Sequence, residues 1–279
     1  MIYITGDTHG HFDRIINFCN RMNVSANDTI IILGDVGLNF FLNKTDEKKK
    51  KILQALGPTF FCIHGNHEVR PQNIGTYTED TFWNGKILYE EKFPNIKFAI
   101  DGEIFDIPVP SGTKKAIVIG GAYSVDKYYR MFRWALLSTL LPLDDLHELE
   151  SYINGYNACQ QNIEKIAKIV ENDINLQNKI AWWNDEQPSK EIKARVEASL
   201  KAMGGQIDIV LSHTCPLKYE PTEAFLDGLN QDSVDNSTEQ WLGQIEKNLS
   251  YDKWYCGHYH IDKKIDKIEF LFEGFDIVE

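Results

Sequence analysis

Cysteine is scarce in this sequence. Cys19, Cys62, Cys159, Cys215 and Cys256 are five in 279 residues, an odd number with no Cys-x-x-Cys pair. That excludes a disulfide framework and makes reducing cytosol the natural compartment. Positive charge is also in deficit: 29 Lys and Arg against 41 Asp and Glu give a formal net charge of −12. Nucleic-acid backbones and anionic membranes bind through clustered cations, so neither an extended nucleic-acid track nor a membrane is expected as a partner. A phosphorylated substrate is not excluded, because a bound metal ion can supply positive charge locally. The longest apolar run, Trp134–Leu143, is interrupted by Ser138 and Thr139. It falls well short of the ~20 residues of a membrane span. Met1 leads straight into Ile2-Tyr3-Ile4 with no basic region ahead of an apolar one, so no signal peptide is expected. The sequence therefore predicts a soluble, cytoplasmic protein.

What the chain does have is apolar residues, 43% of the total with 12% aromatic, enough for a sizeable core. Ile2–Thr5, Thr29–Leu33, Thr59–Ile63, Ala116–Ile119, Ile207–Ser212 and Lys253–Tyr255 read as strands, mostly apolar on both faces. Helical patterns at His11–Met22, Thr45–Leu56, Glu191–Met203 and Thr238–Leu249 alternate with them, which predicts an α/β fold. Ile96–Ile100 and Glu103–Val109, joined by Asp101-Gly102, read as a hairpin, and Lys263–Phe272 as a second antiparallel element. The sheets are therefore expected to be mixed. Ala135–Ala181 reads as a two-helix insertion, with Leu143, Leu146, Leu149 and Ile153 on one face and Ile163, Ile166, Ala167, Val170 and Ile174 on another. It carries seven acidic and three basic residues.

The histidines are grouped. Gly6-Asp7-Thr8-His9-Gly10, Gly34-Asp35-Val36-Gly37, Gly65-Asn66-His67-Glu68, Ser212-His213 and Gly257-His258-Tyr259-His260 each lie just past an apolar run. Loops beyond the carboxyl ends of strands are where open α/β sheets bind ligands. One histidine at a strand end is most often a hydrogen-bonded structural residue. Five such clusters in five loops offer a ligand set of carboxylate, imidazole and amide oxygen without thiolate. That mixture suits manganese, iron or zinc better than a structural thiolate site.

The five motifs, D-x-H, G-D-x, G-N-H-[DE], [GS]-H and G-H-x-H in that order, resemble the calcineurin-like metallophosphoesterase superfamily from Asp7 to His260. Ile119–Lys127 and Ser212–Pro216 are similar to a bacterial and phage-type, serine/threonine-phosphatase-like branch. The resemblance implies an α/β/β/α sandwich of two mixed sheets flanked by helices, one domain over residues 1–279 with the helical insertion at 135–181 inside it. It implies two divalent transition-metal ions, manganese first and iron or zinc as alternatives. Asp7, His9 and His260 would hold one ion, Asn66, His213 and His258 the other, and Asp35 would bridge them. The implied activity is a phosphatase acting on phosphomonoesters, by in-line attack of a metal-bridging hydroxide. Asp35 and His67 would be the catalytic pair, with His67 the general acid toward the leaving oxygen. The substrate would be a phosphorylated small molecule or a phosphoprotein. A phosphodiesterase acting on small nucleotides or nucleic-acid ends is the alternative, and a catalytically silent interaction module is a third reading.

Two departures qualify the resemblance. Where the phosphoprotein phosphatases carry an Asp-Arg pair after the second motif, this chain has Leu38 and Asn39. The residue orienting His67 must then lie elsewhere or be missing, and Glu68 is the candidate. The second departure is the insertion, between Arg133 and Trp182-Trp183. His11 and His64 fit no ligand position and read as solvated or supporting residues, and His147 as exposed. Lys48–Lys51 reads as a solvated helix face. Tyr123, Lys127, Tyr128 and Arg130 are candidates for substrate contact, with a core or rim role as the alternative. Trp182 and Trp183 read as core caps or pocket walls.

Overall fold

The computed structural model describes residues 1–138, 167–225 and 231–279. They form two compact units, Met1–Tyr123 with Asp185–Glu279, and Ser124–Asn184. No helix among the described residues is long and apolar enough to cross a membrane.

The larger unit contains two mixed sheets. The first has seven strands in the order β13-β1-β2-β3-β6-β5-β4, being Phe275–Ile277, Ile2–Thr5, Thr29–Ile32, Thr59–Cys62, Ile96–Ala99, Gly85–Tyr89 and Thr78–Phe82. The second has six, β11-β12-β10-β9-β8-β7, being Lys263–Ile265, Ile268–Phe270, Lys253–Cys256, Ile209–Ser212, Gly112–Ile119 and Ile104–Val109. Strands β1, β2 and β3 run parallel, as do β8, β9 and β10. Their alternation explains the layers. Ile4, Ile31, Leu33 and Phe61 of the first sheet meet Phe105, Val118, Ile209 and Leu211 of the second in one buried cluster. Tyr3, Ile30, Ile32 and Phe60 point the other way, onto Ile15, Phe18 and Leu53 of helices α1 (Asp13–Met22) and α2 (Lys44–Leu56). Val210 and Trp254 pack with Val196 and Leu242 of the helices Lys190–Ala202 and Ser237–Asn248. The result is the expected α/β/β/α sandwich.

The reading of Ile96–Val109 as a hairpin is corrected. β6 pairs with β3 and β5, while β7 pairs with β8, so Asp101-Gly102 carries the chain from one sheet to the other. Asp101 fixes this crossing: its Oδ2 meets Arg70 Nη1 at 2.5 Å and its Oδ1 accepts the Gly120 N–H at 2.6 Å. Tight hairpins in this part of the chain are instead β4–β5, turning on Trp83 and Asn84, both at positive φ, and β7–β8, turning on Pro110 and Ser111.

In the smaller unit, α3 (Lys127–Ser138) begins ahead of the expected Ala135 boundary. Helix α4 (Ile174–Ile180) starts on Asp173, whose side chain accepts the Asn175 and Leu176 N–H groups. That cap interrupts the continuous helix expected there. Met131, Ala167, Val170, Ile180 and Trp182 form its core. The faces expected at Leu143–Ile153 and at Ile163 and Ile166, and His147, lie outside the described residues. Helices α5 (Lys190–Ala202) and α6 (Ser237–Asn248) belong to the larger unit.

Candidate metal centre

All five motif loops lie in the larger unit, past the carboxyl ends of β1, β2, β3, β9 and β10. Backbone bonds tie them together: the Thr8 and His9 N–H groups donate to Asp35 O, and the Gly10 N–H donates to Val36 O. His9, Asp35, His258 and His260 all have positive φ, at 47°, 44°, 69° and 50°. Each costs about 1–3 kcal/mol in a non-glycine residue, and such strain gathers where side chains must be aimed at a shared point. Two glycines make room for the carboxylates. A Cβ at Gly65 would stand 2.0 Å from Asp35 Oδ1, and one at Gly257 would stand 2.2 Å from Asp7 Oδ1.

Each aspartate has one oxygen fixed and one left for another partner. Asp35 Oδ1 accepts the His67 backbone N–H at 2.7 Å. Asp35 Oδ2 faces three imidazoles, with Nε2 of His213, His9 and His67 at 3.7, 3.9 and 4.0 Å. Asp7 Oδ1 accepts the His258 backbone N–H at 3.0 Å. Asp7 Oδ2 is buried and accepts no hydrogen bond, although His260 Nε2 stands 3.3 Å away. Arg14 braces this loop from behind, donating to Thr5 Oγ1, Gly6 O and Asp7 O.

The donor set fits cations. His213 Nδ1 is 2.8 Å from Leu33 O, a contact that needs a proton on Nδ1 and leaves Nε2 with a lone pair. That Nε2 lies 2.8 Å from Asn66 Oδ1, so two acceptor atoms face one another. His9 and His260 likewise meet Nε2 to Nε2 at 2.9 Å. Among the described residues, ligand atoms of Asp7, His9 and His260 lie within 4.8 Å of one another, and so do those of Asp7, Asp35 and His213. His258 belongs to neither group. Its ring packs edge-on against His213 at 5.1 Å.

Charge follows this layout. Burial would raise the Asp7 carboxyl, but the His213, His260 and His9 rings outweigh it and hold it well below the usual carboxylate range. Asp35 is lowered too: burial opposes the shift, while His67 and His213 drive it. Burial, with His213 beside it, pushes His258 down to about 3, so it is a neutral donor at any ordinary pH. Burial also lowers His9, whereas the contact with Asp7 raises His260, so the charged carboxylates face rings of differing basicity.

Several supporting residues differ from the sequence reading. Glu68 does not orient His67: its Oε1 accepts the Val36 and Gly65 N–H groups at 3.4 Å, and its Oε2 has no partner. Burial and the nearby Asp35 push Glu68 up to about 8, so it bolts two motif loops together as a neutral acid. Leu38 and Asn39 are both buried, and Asn39 Oδ1 accepts the Tyr77 hydroxyl at 2.9 Å. His11 is exposed, as read, whereas His64 is buried with neither ring nitrogen partnered. Lys127 and Arg130 are engaged within the smaller unit, by Glu171 and the Trp182 ring, and by Asp126 and Ala181 O, respectively. The Arg70–Asp101 pair and Glu239 escaped sequence reasoning, since no local pattern marks a partner 31 or 25 residues away.

Two carboxylates and a set of imidazoles converge past the ends of two facing sheets, a donor set that could hold metal ions. Residues 1–262 match the family of calcineurin-like phosphoesterases, and the chain belongs to that family, whose members are metal-dependent phosphoesterases. No curated protein matches the chain. A solved structure, described as the protein of unknown function AQ665 from Aquifex aeolicus, is 22% identical with a TM-score of 0.19. The match covers 32% of this chain and 58% of that one, less than two thirds of its length.

Proposed function

We propose that this protein is a dimetal phosphatase that hydrolyses phosphomonoesters. The observation that carries the reading is the position of Asp35 Oδ2, buried and faced by three imidazole Nε2 atoms at 3.7–4.0 Å. Asp7, His9 and His260 would hold one ion, Asn66, His213 and His258 the other, with Asp35 shared. Bound dications supply Lewis acidity toward phosphoryl oxygens and a nucleophile at neutral pH.

The chain's own residues do the rest. Leu33 O holds His213 in one tautomer, and the His67 and His258 amides hold each aspartate with one oxygen turned into the centre. His67 is only part-buried, with its ring edge-on to His9 at 5.5 Å and its Nε2 4.0 Å from Asp35 Oδ2. From there it would protonate the departing oxygen. The four described cysteines are buried and free, which supports a cytoplasmic setting and gives no reason to expect a phosphocysteine route. Manganese-loaded protein should release phosphate from an aryl phosphomonoester faster than from the matching diester or from single-stranded DNA. Turnover of the diester or DNA alone would favour the phosphodiesterase alternative.

A further inference from the structure

Among the described residues, Arg14 and Lys49 bond to motif-loop atoms and Arg70 follows the third motif; two of these three are occupied. Arg14 is bound to Thr5, Gly6 and Asp7. Arg70 is buried, with Nη1 on Asp101 and Nε on Asp185 O. The third is Lys49, on the second turn of α2. Its Nζ makes a single hydrogen bond, 3.3 Å to Gly37 O, and joins no ion pair among the described residues. A Cβ placed on Gly10 would lie 2.1 Å from this Nζ. The ammonium is thus packed at the junction of the first two motif loops, beside the neighbour of His9 and the residue two beyond Asp35.

Its surroundings are built, not loose. Phe41 lies 5.4 Å from the ammonium, ring face on, and is 50% exposed. Asp46 Oδ2 accepts the N–H groups of Phe41 and Leu42 at 2.8 and 2.7 Å, which fixes the loop that carries the ring. The second motif and its loop, residues 34–43, contain no Lys or Arg of their own. A half-buried cation with two free donors, beside an open aromatic face, suits an anionic group on an organic scaffold.

The geometry points to Lys49 as a specificity-determining residue: resting on the phosphomonoesterase reading, it receives a second anionic group carried by the leaving group of the substrate. The preferred class is then phosphomonoesters whose alcohol bears a carboxylate or a further phosphate. The test uses the manganese-loaded full chain with phenyl phosphate and 4-carboxyphenyl phosphate. The ratio of kcat/KM, carboxylated over plain, should fall about three- to tenfold in Lys49→Gln, through KM, and persist in Lys49→Arg. Glutamine keeps a donor toward Gly37 and removes the charge. The same ratio in all three proteins would overturn the inference. Calorimetric binding of phenylphosphonate and 4-carboxyphenylphosphonate separates this from the larger reading. A Lys49-dependent advantage of the carboxylated phosphonate with neither ester turned over would uphold Lys49 and overturn the phosphatase. Turnover of both esters with no such advantage would do the reverse.

Discussion

His9 and His260, which meet at 2.9 Å, are 32% and 48% exposed, whereas His213 is fully buried and Asn66 nearly so. The difference extends to what holds the rings. His213 is anchored through Nδ1 on Leu33 O, and Thr214 beside it donates its hydroxyl to Glu239. His260 lies flat on Phe272 at 4.5 Å, and no hydrogen bond fixes Nδ1 of His9 or His260 among the described residues. The inner group is thus anchored by the fold through His213, while the rings of the outer group carry no such anchor among the described residues. A ligand with its second nitrogen anchored binds metal more tightly than a free one, commonly by 10–100-fold. The two positions should therefore fill in order, inner before outer.

Removing their common wall gives the largest effect. Asp35→Asn should lower metal content from two ions per chain to below one by elemental analysis, and turnover by more than about a hundredfold. Retention of two ions would show that Asp35 does not join the groups. Next come the matched deletions. His213→Ala should weaken inner binding and destabilise the metal-free protein by about 1–3 kcal/mol, because Leu33 O loses its partner in the core. His260→Ala should cost one ion only and leave metal-free stability within about 0.5 kcal/mol. Equal losses in denaturant titration would erase the distinction. His67→Ala belongs to neither group, so two ions should remain while kcat for esters with poor leaving groups drops about 10²–10⁴-fold. A smaller drop for good leaving groups, read in the same assay, separates proton donation from general damage.

The clustering of Asp7, His9, Asp35, His213 and His260 was legible in the sequence because each stands just past a strand, and those strands are short apolar runs. The inner–outer contrast was not legible. It depends on Leu33 O and Glu239 meeting His213 and Thr214, contacts 180 and 25 residues apart. The crossing at Asp101-Gly102 was misread for a related reason. Asp-Gly codes a tight turn locally, but which sheet receives the next strand is set by Arg70 and Gly120 bonding to that aspartate. Lys49 was hidden within a run of four lysines read as one solvated face; the fold instead buries Lys50 against Glu90 and half-buries Lys49 against Gly37, leaving Lys48 and Lys51 exposed.

The smallest expected effect tests the backing of the inner group. Glu239 sits in the first turn of α6, buried, with Oε1 accepting the Thr214 hydroxyl at 2.7 Å and Oε2 unpartnered. Burial pushes its carboxyl from the ordinary 4.5 up to about 7. A group raised in this way stabilises the fold fully below its unfolded value and loses that contribution as pH rises through its folded value. Urea unfolding of the metal-free protein should therefore show a stability decline between about pH 4.5 and 7, on the order of 1–3 kcal/mol from this group. Glu239→Gln keeps the acceptor for Thr214 and cannot ionise, so its decline over that window should be shallower. Among the described residues no buried acid backs His9 or His260 as Glu239 backs Thr214, so metal content at the outer position should not change. Identical pH profiles for the two proteins would mean that the inner loop is held by its backbone bonds alone, and that the buried acid contributes nothing to the contrast.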